Sequence, residues 1–261
     1  MKPHIGIITN IGEAHLENFN NINGIAKAKS ELLENIEDGG RIILNRDDKF
    51  FNYLNKKAKF YNLKISSFGK HKNSDVRLEK VIKKDSNSKI LISIDNKKIY
   101  LEIGELNICN VLASITVLRD LKINLEQIKT KFKKIELSEG RGKKHDILRY
   151  KRKFKLIDES YNANPLSVKN AIRNLGMIKK EKFKKYLILG DMLELGSKSK
   201  KYHEELSKVI NNSDIDKVFI KGKKTIFTYK HLNKSKRGNI LQNNEDIDLS
   251  LSKMISNNDY L

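Results

Sequence analysis

Apolar positions along the chain fall into short unbroken runs and longer helical stripes, arranged differently in its two halves. Residues 5–9 form an apolar run suited to a buried strand, and a polar loop over residues 10–21 follows. Ile22, Ile25, Leu32, Leu33 and Ile36 then recur at helical spacing, and Gly39-Gly40 marks the end of that helix. Another short strand is expected at residues 42–45. Between residues 76 and 103, the alternating stretches Ile90-Leu91-Ile92-Ser93-Ile94 and Ile99-Tyr100-Leu101-Glu102-Ile103 flank Asp95-Asn96, which predicts a tight hairpin. Residues 107–121, apolar at 108, 111, 112, 115 and 118, predict a helix.

Beyond residue 150 the rhythm becomes regular. Strand-like runs at residues 154–157, 186–189, 218–220 and 239–241 alternate with helical segments at 166–175, 199–210, 225–231 and 247–255. Such alternation implies a parallel, doubly wound α/β sheet. The charged, glycine-containing stretch 139–144 reads as a linker, so two domains are expected, residues 1–145 and residues 146–261. Asp259-Tyr260-Leu261 falls where a further strand is expected to begin.

With 38% hydrophobic and 33% charged residues over 261 positions, the chain reads as a folded protein with a core. One cysteine, Cys109, excludes an internal disulfide framework and a thiolate metal cluster, and fits a reducing compartment. No apolar run is long enough to span a bilayer, and residues 1–12 carry no signal-type stretch, so a cytoplasmic protein without a membrane partner is expected. The net charge of +21 raises the question of nucleic acid. Its lysines are scattered along the chain and often interrupted by acids, and no aromatic-interleaved basic stripe is present. A solvated basic surface with weak, salt-sensitive binding to polyanions is expected, with no specific nucleic-acid partner.

Four places carry candidate chemistry. Lys29 shares a helical face with Ile25, Leu32 and Ile36. An ammonium there snorkels to water, pairs, or is carbamylated, and the last would give it a head suited to a hard cation. His15 lies in the loop after the first strand, where open α/β sheets bind ligands. Asp158-Glu159-Ser160-Tyr161-Asn162-Ala163-Asn164-Pro165 follows another strand and opens a helix, with Asn164 a natural cap and Pro165 a natural first residue. Capping does not explain the two carboxylates, Tyr161 or Asn162. Gly190-Asp191, also at a strand end, suits close backbone approach and either a cap or a ligand contact.

Taken in order, these segments resemble the Mur ligase family. The matching stretches are residues 3–15, Ala26-Lys27-Ala28-Lys29-Ser30-Glu31, Leu44-Asn45-Arg46-Asp47-Asp48, residues 107–113, Glu139-Gly140-Arg141-Gly142, residues 158–165 and residues 190–196. The last two single out the branch that adds D-alanyl-D-alanine to UDP-N-acetylmuramoyl-tripeptide. The resemblance implies a partial Mur ligase central domain followed by a Rossmann-like, doubly wound C-terminal domain. It also implies ATP and Mg²⁺, and an acyl phosphate that the incoming amine attacks. On this resemblance Lys29 would be carbamylated and, with His15, would hold Mg²⁺. Asn107 and Asn110 would lie near the adenine, although Asn107 serves equally as a helix cap. Arg141 would reach the ATP phosphates, Asp158 or Glu159 the ribose, and Tyr161, Asn162 and Asn164 the dipeptide.

The sequence departs from the family where the phosphate loop G-x-x-x-x-G-K-[ST] would stand; Lys221-Gly222-Lys223-Lys224-Thr225 does not supply it. Neither the domain that grips the UDP sugar nor a late Lys-Gly-Ser-Arg-like stretch is found. An internal start or split gene is therefore expected, with a separate chain supplying the missing N-terminal part and these residues inactive alone. A sister ligase adding another amino acid, a folylpolyglutamate-type relative and a non-catalytic remnant are the competing readings.

Overall fold

The computed structural model describes residues 2–13, 17, 19, 21–84, 87–179 and 181–261. The chain divides into two compact units, Met1–Gly12 with Asn21–Leu137, and Glu13–Asn20 with Ser138–Leu261.

In the first unit, β1 (Ile5–Ile8), β2 (Arg41–Asn45), β3 (Lys64–Gly69), β4 (Val76–Lys84), β5 (Asn87–Ile94) and β6 (Lys97–Gly104) form one sheet in chain order. β1 to β4 run parallel, and β4 to β6 are antiparallel. Parallel neighbours need a crossover, and α1 (Ile22–Asn35) and α2 (Phe51–Phe60) provide it between β1, β2 and β3. α3 (Ile108–Asp120) and the single turn α4 (Leu125–Ile128) follow β6. Ile43, Phe68, Val76, Ile90, Ile92, Leu101 and Ile103 from the sheet pack with Val111, Leu112 and Ile115 of α3 in one buried cluster. Each such side chain contributes roughly 1.5–3 kcal/mol by leaving water.

The hairpin expected at Asp95-Asn96 is present: Ile94 pairs with Lys97, and both turn residues take positive φ, 47° and 64°. That is the turn whose twist matches antiparallel strands. β3 and α2 were not expected from the apolar pattern. Ser66 and Ser67, at the centre of β3, are buried with polar partners: Arg41 donates to Ser66 Oγ at 2.8 Å, and the Ser67 hydroxyl donates to Asp75 at 2.6 Å.

In the second unit, β7 (Lys143–Arg149) and β8 (Arg152–Asp158) form an antiparallel hairpin. The stretch read as a linker is therefore a tight turn leading into a strand. The remaining elements alternate: α5 (Pro165–Met177), β9 (Tyr186–Gly190), α6 (Ser199–Asn211), β10 (Lys217–Lys221), α7 (Thr225–Lys230), β11 (Arg237–Leu241) and α8 (Asn244–Met254). β9, β10 and β11 form a parallel sheet in the order β11-β10-β9. Tyr260 bridges in parallel to both Lys155 of β8 and Lys185 beside β9, which brings the last residues of the chain between those two strands. Tyr186 N–H donates to the Tyr260 carbonyl and Leu261 N–H to the Lys155 carbonyl, both at 2.8 Å. No described helix is long and apolar enough to cross a membrane.

Candidate functional site

In the first unit, candidate residues far apart in sequence gather where β1 ends. The Thr9 carbonyl accepts from Asn45 Nδ2 at 3.0 Å and faces Cys109 Sγ at 3.6 Å. One residue on, the Asn10 carbonyl accepts from Lys29 Nζ at 3.0 Å, and Ile11 N–H donates to Asp48 at 2.7 Å. Lys29 on α1 and the start of α3 thus meet the same strand end. Parallel strands present their ligand-binding crevice at this edge.

Lys29 lies at the edge of the buried face of α1. The buried positions of that helix are Ile25, Ala26, Ser30 and Leu33, and Lys29 is exposed at their flank. Ile25 and Ile36, which share its face, are buried, while Lys29 itself reaches water and donates to the Asn10 carbonyl. His15 lies outside the described residues. Asn107 caps α3, its side chain accepting from Asn110 N–H at 3.3 Å, and both asparagines are exposed. Burial pushes the Cys109 thiol up, helped by the charges of Asp47 and Asp48. Asp47 had no assigned role from sequence. Its carboxylate accepts from Lys70 N–H at 2.6 Å and His71 N–H at 2.9 Å, so it ties the loop after β3 to the end of β2.

In the second unit, the turn before β7 and the end of β8 form a second cluster. Gly140 N–H donates to Asp158 Oδ2 at 3.0 Å, Gly142 N–H to the Asp158 carbonyl at 2.7 Å, and Tyr161 N–H to the Gly140 carbonyl at 3.1 Å. Gly140 sits at φ +73°, and a Cβ there would come within 2.8 Å of Tyr161 N. The turn holds the Arg141 guanidinium 3.9 Å from the centre of the exposed Tyr161 ring. Hydrogen bonds from Ser160 and Gly140 hold the Asp158 carboxyl below its ordinary value. Partial desolvation, and then the charge of Asp158, push its neighbour Glu159 up. Asn164 caps α5 in a capping box with Ser167, which engages its side-chain oxygen, whereas Asn162 is exposed.

The spacing around Gly190-Asp191 left a cap and a ligand contact open, and Asp191 caps. Its carboxylate accepts from the N–H groups of Lys223, Lys224 and Thr225 at 2.8–2.9 Å, at the start of α7. A Cβ on Gly190 would meet nothing within 4 Å. The buried His203 was missed from sequence. Its Nε2 accepts from Met192 N–H at 3.1 Å and its Nδ1 lies 2.8 Å from the Ser199 carbonyl, so it fixes the loop after β9 from α6. A lone histidine in a polar helical segment gives no sequence signal for that duty.

The sequence profile of the Mur ligase middle domain matches residues 1–118, and that of the Mur ligase glutamate ligase domain matches residues 146–258. The chain belongs to the Mur ligase family. It is 32% identical over 261 residues to a UDP-N-acetylmuramoyl-tripeptide–D-alanyl-D-alanine ligase of Buchnera aphidicola, with 98% of this chain and 54% of that protein covered. Among solved structures it is similar to MurF from Acinetobacter baumannii, with a TM-score of 0.84 at 24% identity over all of this chain and 56% of that one. MurF ligase from Thermotoga maritima, solved in complex with ADP, gives a TM-score of 0.80 at 21% identity, covering 99% of this chain and 57% of that one. This Mur ligase chain thus spans about half the length of the relatives it matches. The mixed α/β fold has the architecture of their middle and C-terminal domains.

Proposed function

We propose that this chain forms the middle- and C-terminal-domain part of an ATP-dependent ligase that joins UDP-N-acetylmuramoyl-tripeptide to D-alanyl-D-alanine through an acyl phosphate. The observation that carries the reading is the convergence of Lys29 and the start of α3 on the Thr9–Asn10 strand end, in a chain aligned over 98% of its length with a relative of that name. Mg²⁺, when bound, neutralises charge on the transferring phosphoryl group. Lys29, carbamylated, and His15 are the residues assigned to hold it.

Asn107 and Asn110 are assigned to the adenine; the capping duty of Asn107 uses its side-chain oxygen. Asp158 or Glu159 is assigned to the ribose; Asp158 already accepts from Gly140 and Ser160. Arg141 reaches toward the phosphates from a turn that Gly140 and Tyr161 hold in place. Tyr161, Asn162 and Asn164 receive the dipeptide; Tyr161 and Asn162 offer exposed surface for it. A bound and oriented amine attacks far faster than a free one, which is the chief service such a face renders. A cytoplasmic location belongs to the same reading.

The test is a pair of substitutions in a ligase assembled with this sequence. Lys29→Ala loses most of the activity and recovers part of it with added short-chain carboxylates, whereas Lys27→Ala is nearly silent. Equal losses at the two positions, or no rescue by carboxylate, would count against the assignment.

A further inference from the structure

Among the described residues, one trio of His and carboxylate side chains places its donor atoms within 4.8 Å of one another: Glu139, His145 and Asp158. We propose that this trio is a binding site for a divalent first-row transition cation, with Zn²⁺ as its probe, separate from the Mg²⁺ assigned to Lys29 and His15.

The three donors come from different segments of the second unit. Glu139 lies in the turn before β7, His145 on β7 and Asp158 at the end of β8. β7 and β8 pair without a break from Lys143↔Asp158 to Arg149↔Arg152, so two of the donors ride on one continuous ladder. His145 Nε2 and Glu139 Oε2 are already 3.2 Å apart. Ligands around a tetrahedral ion at about 2.1 Å stand roughly 3.4 Å from each other, so the trio must contract by about 1 Å or a little more. Small side-chain rotations of Glu139, His145 and Asp158 would supply it.

The surrounding bonds leave room for the ion. Lys143 holds Glu139 through Oε1, which leaves Oε2 toward the imidazole. Asp158 accepts Gly140 N–H on Oδ2, Ser160 N–H on Oδ1 and the Ser160 hydroxyl as well; three of its roughly four lone-pair sites are used and one is left, and such bonds orient a ligating carboxylate. One imidazole with two carboxylates is a mixed donor set, softer than the all-oxygen shell that Mg²⁺ prefers. Three protein ligands leave a fourth position for water. The imidazole must carry no proton on Nε2, so its hydrogen moves to Nδ1 or is released to solvent. A cation here would tie Glu139 to β7 and β8 across the turn that carries Arg141.

The experiment uses the 261-residue chain and needs neither nucleotide nor turnover, so its failure leaves the ligase reading untouched. Zn²⁺ is titrated calorimetrically, and Co²⁺ is followed by its visible absorption. We expect one equivalent bound, and a higher thermal midpoint with Zn²⁺ than without. His145→Ala and Glu139→Gln should each weaken binding at least about tenfold and abolish the thermal shift, while His71→Ala and His231→Ala leave both unchanged. Glu139 is exposed, so its variant tests the site without risk to folding. No stoichiometric binding, or binding that survives both His145→Ala and Glu139→Gln, would overturn the proposal.

Discussion

At Asp191 one carboxylate satisfies three backbone N–H groups at the start of α7, while the same motif in sequence suggests a ligand contact just as well. Charged acceptors on backbone donors are among the stronger hydrogen bonds, and losing one leaves its donors unpaired. Asp191→Ala is expected to lower unfolding stability by about 1–3 kcal/mol in denaturant titration, and Asp191→Asn by less. Asp158 gives a second, pH-dependent test. Its folded carboxyl titrates below its ordinary value, so its stabilisation is present above the ordinary aspartate range and is lost as pH falls through the lowered value. The stability gap between the native chain and Asp158→Ala should therefore be widest above about pH 4 and close on further acidification. A gap that widens in acid would refute the assignment. Asn107 and Asn164 were legible as caps because a cap is a local event, written in the residues beside it. The full width of the buried face beside Lys29 was not legible, because Ser30 is buried through its hydroxyl and counts as polar in any apolar pattern.

Elements whose burial is apolar could be read from the sequence, and those buried through polar pairs could not. The β5–β6 hairpin, α3 and the alternation from β8 to α8 stand where the pattern places them, because their inward positions are Ile, Leu, Val and Phe. β3 hides two serines in the core and looks like a loop. β7 is half exposed, with Leu148 at 80% accessibility, and its charges suggest a linker. The two hairpin turns and the Gly140 turn allow a direct check on backbone geometry. Asn96→Gly should stabilise the β5–β6 hairpin or leave it unchanged, since glycine adopts the observed φ of 64° without strain. Gly140→Ala should cost about 1–3 kcal/mol, for its positive φ and for the clash with Tyr161. Thermal melts of the two variants moving in the same direction by similar amounts would contradict both assignments.

For the whole molecule, the decisive quantity is what these residues achieve without further sequence. Phosphoryl transfer is mostly positioning and charge stabilisation, and backbone N–H groups with a lysine in a glycine-rich loop do much of it. Lys221-Gly222-Lys223-Lys224-Thr225 resembles such a loop only in composition. Its N–H groups at 223, 224 and 225 are already committed to Asp191, and Gly222 packs against the same carboxylate, so they cannot turn toward a phosphate. The net charge of +21 attracts polyanions without orienting them, and that attraction fades with salt. We therefore expect the 261 residues alone to bind ATP weakly and with steep salt dependence, and to release phosphate at no useful rate. Loss of a preorganised clamp of this kind typically removes several powers of ten in rate. The assay follows phosphate release with Mg²⁺, UDP-N-acetylmuramoyl-tripeptide and D-alanyl-D-alanine. It is run first on this polypeptide and then with a second chain carrying the N-terminal half of a relative such as the Buchnera ligase. Substrate-dependent turnover by the first polypeptide at ordinary enzymatic rates would show that the committed loop is not needed as a phosphate clamp. Turnover that appears only with the second chain would support a ligase assembled from two parts.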